Sequence, residues 1–256
     1  MVCSYLLIMK LDNIKINPWM KVIVLTGAGI SAESGLQTFR GNNGLWENHK
    51  VEDVAFPEGF AQNPELVWSF YRERYQQALA ALPNPGHYAL AEMEKKLGSN
   101  FHIITQNIDG LHHKAGNKNV IEMHGTVTQC CCTNCAAKFD LRSIDLSVKL
   151  PLCEKCNGLL RPDVVWFGEI PYHLDLIEKL IRKCNLFIVV GTSGTVYPAA
   201  GFVLAAKYNG AATIGINLEA PKNADYFDYF YEGKAGDLLP KLVKHWLEFF
   251  ETEISS

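Results

Sequence analysis

Six of the eight cysteines of this 256-residue chain fall between Cys130 and Cys156. Cys132 and Cys135 have two residues between them, as do Cys153 and Cys156, and seventeen residues separate the pairs. With C-x2-C-x17-C-x2-C, two short loops can close a tetrahedron of thiolates around Zn²⁺. Four thiolates leave no position for water, so such a zinc is structural. The alternative is a chance cluster of reduced thiols. Cys130 and Cys131 complicate the register; Cys132 is preferred because it alone pairs at this spacing with Cys135. A secreted disulfide scaffold spreads its cysteines along the chain, whereas this cluster points to a reducing compartment.

Gly27-Ala28-Gly29-Ile30-Ser31-Ala32 is a G-x-G-x-x-A sequence behind an apolar run. It lets a pyrophosphate approach backbone N–H groups where a helix begins. The same glycines also suit a tight turn with no ligand. An ordinary dehydrogenase carries an acid about 20 positions on, at the end of a second strand. Glu52 and Asp53 stand near that distance, but NHKVEDVAFPEGF does not read as a strand. A dinucleotide bound here is held by different rules.

Thr105-Gln106-Asn107-Ile108-Asp109-Gly110 ends another strand-like run. Its amides and carboxylate suit a ligand, or an Asx turn capping the next helix. His124, in EMHGT, stands just before the cysteines and is a candidate general base or a structural histidine. His112 and His113 compete on the same terms. The segment 162–169, PDVVWFGE, suits an extended edge that pairs with a peptide, or a plain sheet edge. A helical pattern over 63–82 carries an apolar stripe of Val67, Phe70, Tyr71, Ala78, Ala81 and Leu82. Arg74 falls in that stripe, while Arg72, Glu73, Gln76 and Gln77 point away. A guanidinium on a buried face needs an anionic partner. That partner is a structural carboxylate, or a ligand carboxylate received by Tyr71 and Arg74 together.

The elements that must hold these groups alternate. Strand-like runs at 21–25, 101–105, 186–190 and 213–217 are separated by helical patterns at 86–97, 174–183, 199–208 and 238–250, and residues 30–36 look like the start of a helix. This predicts an α/β fold: a Rossmann-like parallel sheet with helices on both faces. Residues 42–84, without a strand-like run, and the cysteine stretch 127–160 interrupt the alternation and together build a smaller lobe. The cleft between lobes is the expected site. The chain is 48% hydrophobic, 20% charged and 11% aromatic, which excludes disorder. A net charge of −3 with no basic stripe argues against nucleic-acid binding. No apolar run is long enough to span a bilayer, and the apolar start lacks the marks of an export signal.

Taken together, these segments resemble the sirtuins, NAD-dependent protein deacylases, from about residue 21 to 239. The motifs are GAGISAESGLQTFRG (27–41), TQNIDGLHHKAG (105–116), EMHGT (122–126), the cysteine pairs, RPDVVWFGE (161–169) and GTS (191–193). Tyr71-x-x-Arg74 and VEDVAFPEGF (51–60) resemble the class III branch, which removes succinyl and malonyl as well as acetyl groups. Leu36-Gln37 departs from that branch, which more often has Ile-Arg there.

The resemblance implies a Rossmann-like domain (20–47, 84–126 and 160–256), a helical insertion (48–83), a zinc-ribbon module (127–159) and an N-terminal extension (1–19). It implies that His124 is the general base. NAD, consumed as co-substrate, would be wrapped by residues 27–46, including Gly27, Ala28, Gly29, Ser31, Glu33, Phe39, Arg40 and Trp46. Gln106, Asn107, Ile108 and Asp109 would line the nicotinamide pocket. Gly191, Thr192, Ser193, Asn217, Leu218, Glu219 and Ala235 would hold the adenosine end. Val165, Phe167 and Gly168 would pair with the backbone of an acyl-lysine peptide, and Cys132, Cys135, Cys153 and Cys156 would hold one structural zinc. A cytoplasmic monomer is expected, with no nucleic-acid or membrane partner. Competing readings are a dehydrogenase with a structural zinc, a non-catalytic zinc-ribbon interaction protein, and a mono-ADP-ribosyl transferase.

Overall fold

The computed structural model describes residues 16–37, 45–46 and 49–254. Strand β1 (Val22–Thr26) runs into a 3-10 helix (Ala28–Ser34). A small hairpin, β2 (Leu45–Trp46) and β3 (His49–Lys50), leads to helices α1 (Val51–Val54), α2 (Pro57–Gln62), α3 (Pro64–Ala80) and α4 (Pro85–Leu97). Then come β4 (Phe101–Thr105), α5 (Leu111–Ala115), β5 (Val120–Glu122), β6 (Gly125–Cys132), β7 (Lys138–Asp140) and β8 (Leu160–Val164). The chain continues through α6 (Leu174–Ile181), β9 (Leu186–Val190), α7 (Ala199–Tyr208), β10 (Ala212–Asn217), β11 (Tyr229–Glu232) and α8 (Ala235–Ile254).

Strands β1 and β9, VIVLT and LFIVV, are buried along their whole length, as strands covered on both faces must be. They lie inside a parallel sheet ordered β11-β10-β9-β1-β4-β5. Val22 and Val24 pack with Leu90 and Met93 of α4 and with Leu239, Leu242 and Trp246 of α8. Ile23 and Leu25, one residue out of phase, pack with Ile177 of α6 and Phe202 and Val203 of α7. The order of connection reverses at β1, between β4 and β9. Such a switch point opens a crevice beyond the carboxyl ends of the strands. Ile16, within the predicted N-terminal extension, is also buried in the first of these cores.

The smaller lobe is the antiparallel sheet β7-β6-β8 packed on α1, α2 and α3. Val54, Phe60, Val67 and Phe70 share one core with Val127, Cys130, Leu160 and Trp166. The two interruptions of the alternating pattern thus form one lobe. Strand β8 belongs to this small sheet, although its residues follow the predicted 127–159 module.

Several local predictions need correction. Residues 28–34 form a 3-10 helix, stopped by Gly35 in the left-handed region at φ 84°. The hairpin β2–β3 lies where no strand was expected; two residues per strand are too few for periodicity to register. Helix α3 ends at Ala80, and Leu82 lies beyond it, 75% exposed. Trp68 and Tyr75 are buried on α3, adding to the predicted stripe. Arg72 does not point away, because its Nη2 donates to the carbonyls of Val148 and Lys149 in the small lobe. Helix α6 stops at Ile181, and α8 starts at Ala235. Among the described residues, no helix is long and apolar enough to cross a membrane.

Candidate active site and metal centre

The glycine-rich turn follows β1 at the carboxyl edge. Gly27 N–H donates to Val190 O (3.0 Å), and Gly29 N–H donates to Gly191 O (2.9 Å). A Cβ on Gly29 would stand 2.6 Å from Gly191 Cα, and Gly191 itself sits at φ 64°. These two glycines let the loops after β1 and β9 touch backbone to backbone. Beside them lies a cleft of about 270 Å³ lined by the candidates Gly29, Glu33, Gly191, Asn217, Leu218 and Ala235, and by Ala32, Ile216, Gly233 and Lys234, which are not among the candidates from sequence. Glu33 also accepts the Gly236 N–H at 2.8 Å, fixing the start of α8. Asn217 Nδ2 donates to Thr192 O (2.9 Å). Ser193 bonds Thr195, and Glu219 is exposed near the start of the loop after β10. Ala28 is half-buried at the start of the 3-10 helix. Phe39 and Arg40 lie outside the described residues, whereas Trp46 packs edge-on against Phe70 with ring centroids 4.9 Å apart.

The loop after β4 meets this turn from the other side. Ser31 Oγ donates to Asp109 Oδ2 (2.8 Å), and Asn107 Nδ2 donates to Gly27 O (3.1 Å) and Ser31 Oγ (3.2 Å). Burial pushes the Asp109 carboxyl above its ordinary range, opposed by bonds from Leu111 N–H and Ser31. Ile108 O accepts the Val127 N–H, joining this loop to the small sheet. Lys114, one turn further, sends its Nζ to the carbonyls of Ala78, Leu79 and Ala81 at the end of α3.

The three candidate histidines separate. His112 is core: Nε2 lies 2.9 Å from Thr26 Oγ1, its ring packs on His87, and burial holds its basicity well down. His113 is half exposed, 3.9 Å from Glu122. His124 stands between lobes, just past β5. Its Nδ1 lies 3.1 Å from Gln106 O. A carbonyl only accepts, so Nδ1 carries the hydrogen and Nε2 the lone pair. Burial lowers the pKa of this imidazole below 6.5. Its own carbonyl accepts the Val165 N–H at 2.9 Å.

Strand β8 stops at Val164, so the predicted edge 162–169 is only half strand. The N–H groups of 165, 166 and 167 are spent on His124 O, Glu169 Oε2 and Ala55 O. The Val165 carbonyl and the Gly168 N–H remain open to an added strand among the described residues. Phe167 stacks on Phe56 at 5.4 Å.

Tyr71 and Arg74 lie on the buried face of α3, 2% and 7% exposed. Arg74 Nη1 donates to Phe70 O (3.1 Å), its guanidinium lies 3.9 Å over the Phe70 ring, and Nη2 is 3.8 Å from the exposed Glu73. Burial lowers its pKa to about 10. Tyr71 Oη accepts the Trp166 indole N–H at 3.0 Å, and burial raises its pKa. Sequence reasoning passed over Trp166. The available signal was an aromatic with a polar tip inside an apolar run, which when buried needs a partner.

The four cysteines converge. Their sulfurs lie within 4.8 Å of one another, with Cys132–Cys156 at 3.5 Å and Cys135–Cys153 at 3.7 Å. Zinc–sulfur bonds of about 2.3 Å require sulfurs roughly 3.8 Å apart, so one tetrahedral Zn²⁺ fits. The N–H groups of Asn134 and Cys135 point at Cys132 Sγ, as thiolate ligation favours. Cys130 and Cys131 stand outside this group, so the convergence supports the register that starts at Cys132.

A profile of the Sir2 family matches residues 27–198. An "NAD-dependent protein deacylase" of Pasteurella multocida is 48% identical over 230 residues, 89% of this chain and 98% of the relative. A Sir2 homologue solved with NAD superposes with a TM-score of 0.83 at 42% identity, covering 90% and 91% of the two chains. Another Sir2 structure, holding an inhibitor, 2′-O-acetyl-ADP-ribose and a deacetylated p53 peptide, gives 0.76 at 33% identity over 88% and 93%.

Proposed function

This chain belongs to the Sir2 family, and from that premise we propose that it is an NAD-dependent protein-lysine deacylase acting on acetyl and on acidic succinyl and malonyl groups. NAD supplies an electrophilic ribose carbon, and NAD, acyl-lysine and one water together yield nicotinamide, free lysine and O-acyl-ADP-ribose. Gly27, Ala28 and Gly29, with Gly191, Asn217, Leu218 and Ala235, hold the adenosine and phosphate end. Thr192, Ser193 and Glu219 border it. Ser31, Gln106, Asn107, Ile108 and Asp109 bind the nicotinamide end, and Glu33 keeps the start of α8 against the cleft. His124 Nε2 takes a proton from a ribose hydroxyl. The Val165 carbonyl and Gly168 N–H pair with the peptide backbone, while Tyr71 and Arg74 receive an acyl carboxylate, a task that suits the planar fork of arginine. Zinc stays outside the chemistry and holds the small lobe.

One observation carries this reading. His124 touches the loop assigned to nicotinamide through Nδ1 and Gln106 O, and the segment assigned to peptide through its carbonyl and Val165 N–H. A base so anchored lies where both substrates have to meet.

The test is a panel of acetyl, malonyl and succinyl peptides, each with NAD, analysed by mass spectrometry. Nicotinamide and O-acyl-ADP-ribose are expected from all three. NADH formation would support a dehydrogenase instead, and no nicotinamide release would leave a binding module. Arg74→Met should lower kcat/KM for succinyl peptide at least tenfold more than for acetyl peptide, because a desolvated carboxylate loses its charged partner. Equal losses would remove the carboxylate reading while leaving the deacylase intact.

A further inference from the structure

Trp166 has no assigned role above, yet its ring is held from several directions. The Arg161 guanidinium lies 3.4 Å from the ring centroid. Arg161 is itself fixed by two bonds to Glu169, at 2.6 and 2.9 Å, and Glu169 accepts the Trp166 backbone N–H at 2.8 Å. Phe60 packs on the same indole at 5.3 Å. So constrained, the buried indole directs its N–H to Tyr71 Oη.

The direction of that bond has a consequence for Tyr71. An indole N–H only donates, so the phenol oxygen must accept. The single phenol hydrogen is then left to donate elsewhere, and it meets no acceptor among the described residues. A buried donor without an acceptor calls for a ligand that accepts. Burial also raises the Tyr71 pKa, so the phenol keeps its hydrogen at neutral pH.

We propose that Trp166 is a specificity-positioning residue: by occupying the acceptor side of Tyr71 Oη it commits that phenol to donate, which fits the pocket to acyl groups ending in a carboxylate. The inference rests on the reading of Tyr71 and Arg74 as the acyl-carboxylate site, and adds the group that sets the polarity of the phenol.

The experiment measures KM and kcat with succinyl and acetyl peptides at saturating NAD. The proteins are the unmodified enzyme, Trp166→Phe, Tyr71→Phe and the double variant. A fifth protein carries benzothienylalanine at 166, which keeps the bicyclic shape without the N–H and guards against misfolding of the smaller ring. The ratio of succinyl KM to acetyl KM should rise about tenfold in Trp166→Phe and in the benzothienyl protein, the worth of one hydrogen bond to a charged group. The kcat ratio should move less. In the Tyr71→Phe background, Trp166→Phe should shift the ratio no further. If Tyr71→Phe shifts it and both position-166 replacements do not, the role of Trp166 is overturned alone. If neither Tyr71→Phe nor Arg74→Met shifts it, the acidic-acyl reading fails and this proposal falls with it.

Discussion

His124, the proposed base, shows how surroundings set the state of one imidazole. Donation from Nδ1 to Gln106 O sets the tautomer, and burial makes the charged form costly. A base acts while neutral, so the activity it controls disappears as pH falls through its pKa. That pKa lies below 6.5, and the acid limb of kcat/KM should therefore centre below pH 6.5. A limb at or above that value would belong to another group. His124→Ala should abolish turnover while calorimetry still records NAD binding. The sequence offered His124, which follows β5 and precedes the cysteine-bearing β6, but could not separate it from His112 and His113. Those neighbours share one short helix, and only packing sends His112 into the core and His113 toward solvent.

At the level of elements, the metal centre supports more than its own loops. Strands β6 and β8 share a core with α1, α2 and α3, and α3 carries Tyr71 and Arg74. Removing zinc leaves four thiols crowded together without a ligand and loosens that core. Chelation, or Cys132→Ser, should take metal analysis from about one zinc per chain to none and abolish deacylation. Hydrogen exchange should show lost protection in β6–β8 and α3, with β1, β4 and β9 still protected; uniform loss would mean that the lobes unfold as one unit. Strands β1 and β9 were legible because two-sided burial leaves an unbroken hydrophobic run. Strand β11, with polar and half-buried positions, carries no such run and gave no signal. The zinc ligands were legible through spacing. The pairing of Trp166 with Tyr71, 95 residues apart, was not, since it exists only after the lobe has closed.

For the whole molecule, buried histidines add to the loss of stability in acid. His87 has no measurable exposure, packs on His112, and is held down to about pKa 4 by burial, while His112 is shifted the same way. Unfolding returns both toward 6.5, so the unfolded chain binds more protons below that pH. Their contribution is complete above 6.5 and is lost as pH falls toward 4, on the order of 3 kcal/mol for His87. Urea unfolding midpoints should therefore drop between pH 6.5 and 4, and His87→Gln should flatten that slope; an unchanged slope would assign the acid sensitivity elsewhere. Lys114 affects the molecule as a whole in another way. One ammonium gripping three carbonyls at the end of α3 fastens the small lobe to α5. That grip makes the Ala80 end of the helix, rather than the Pro64 end, the point where this ammonium ties the small lobe to the large one.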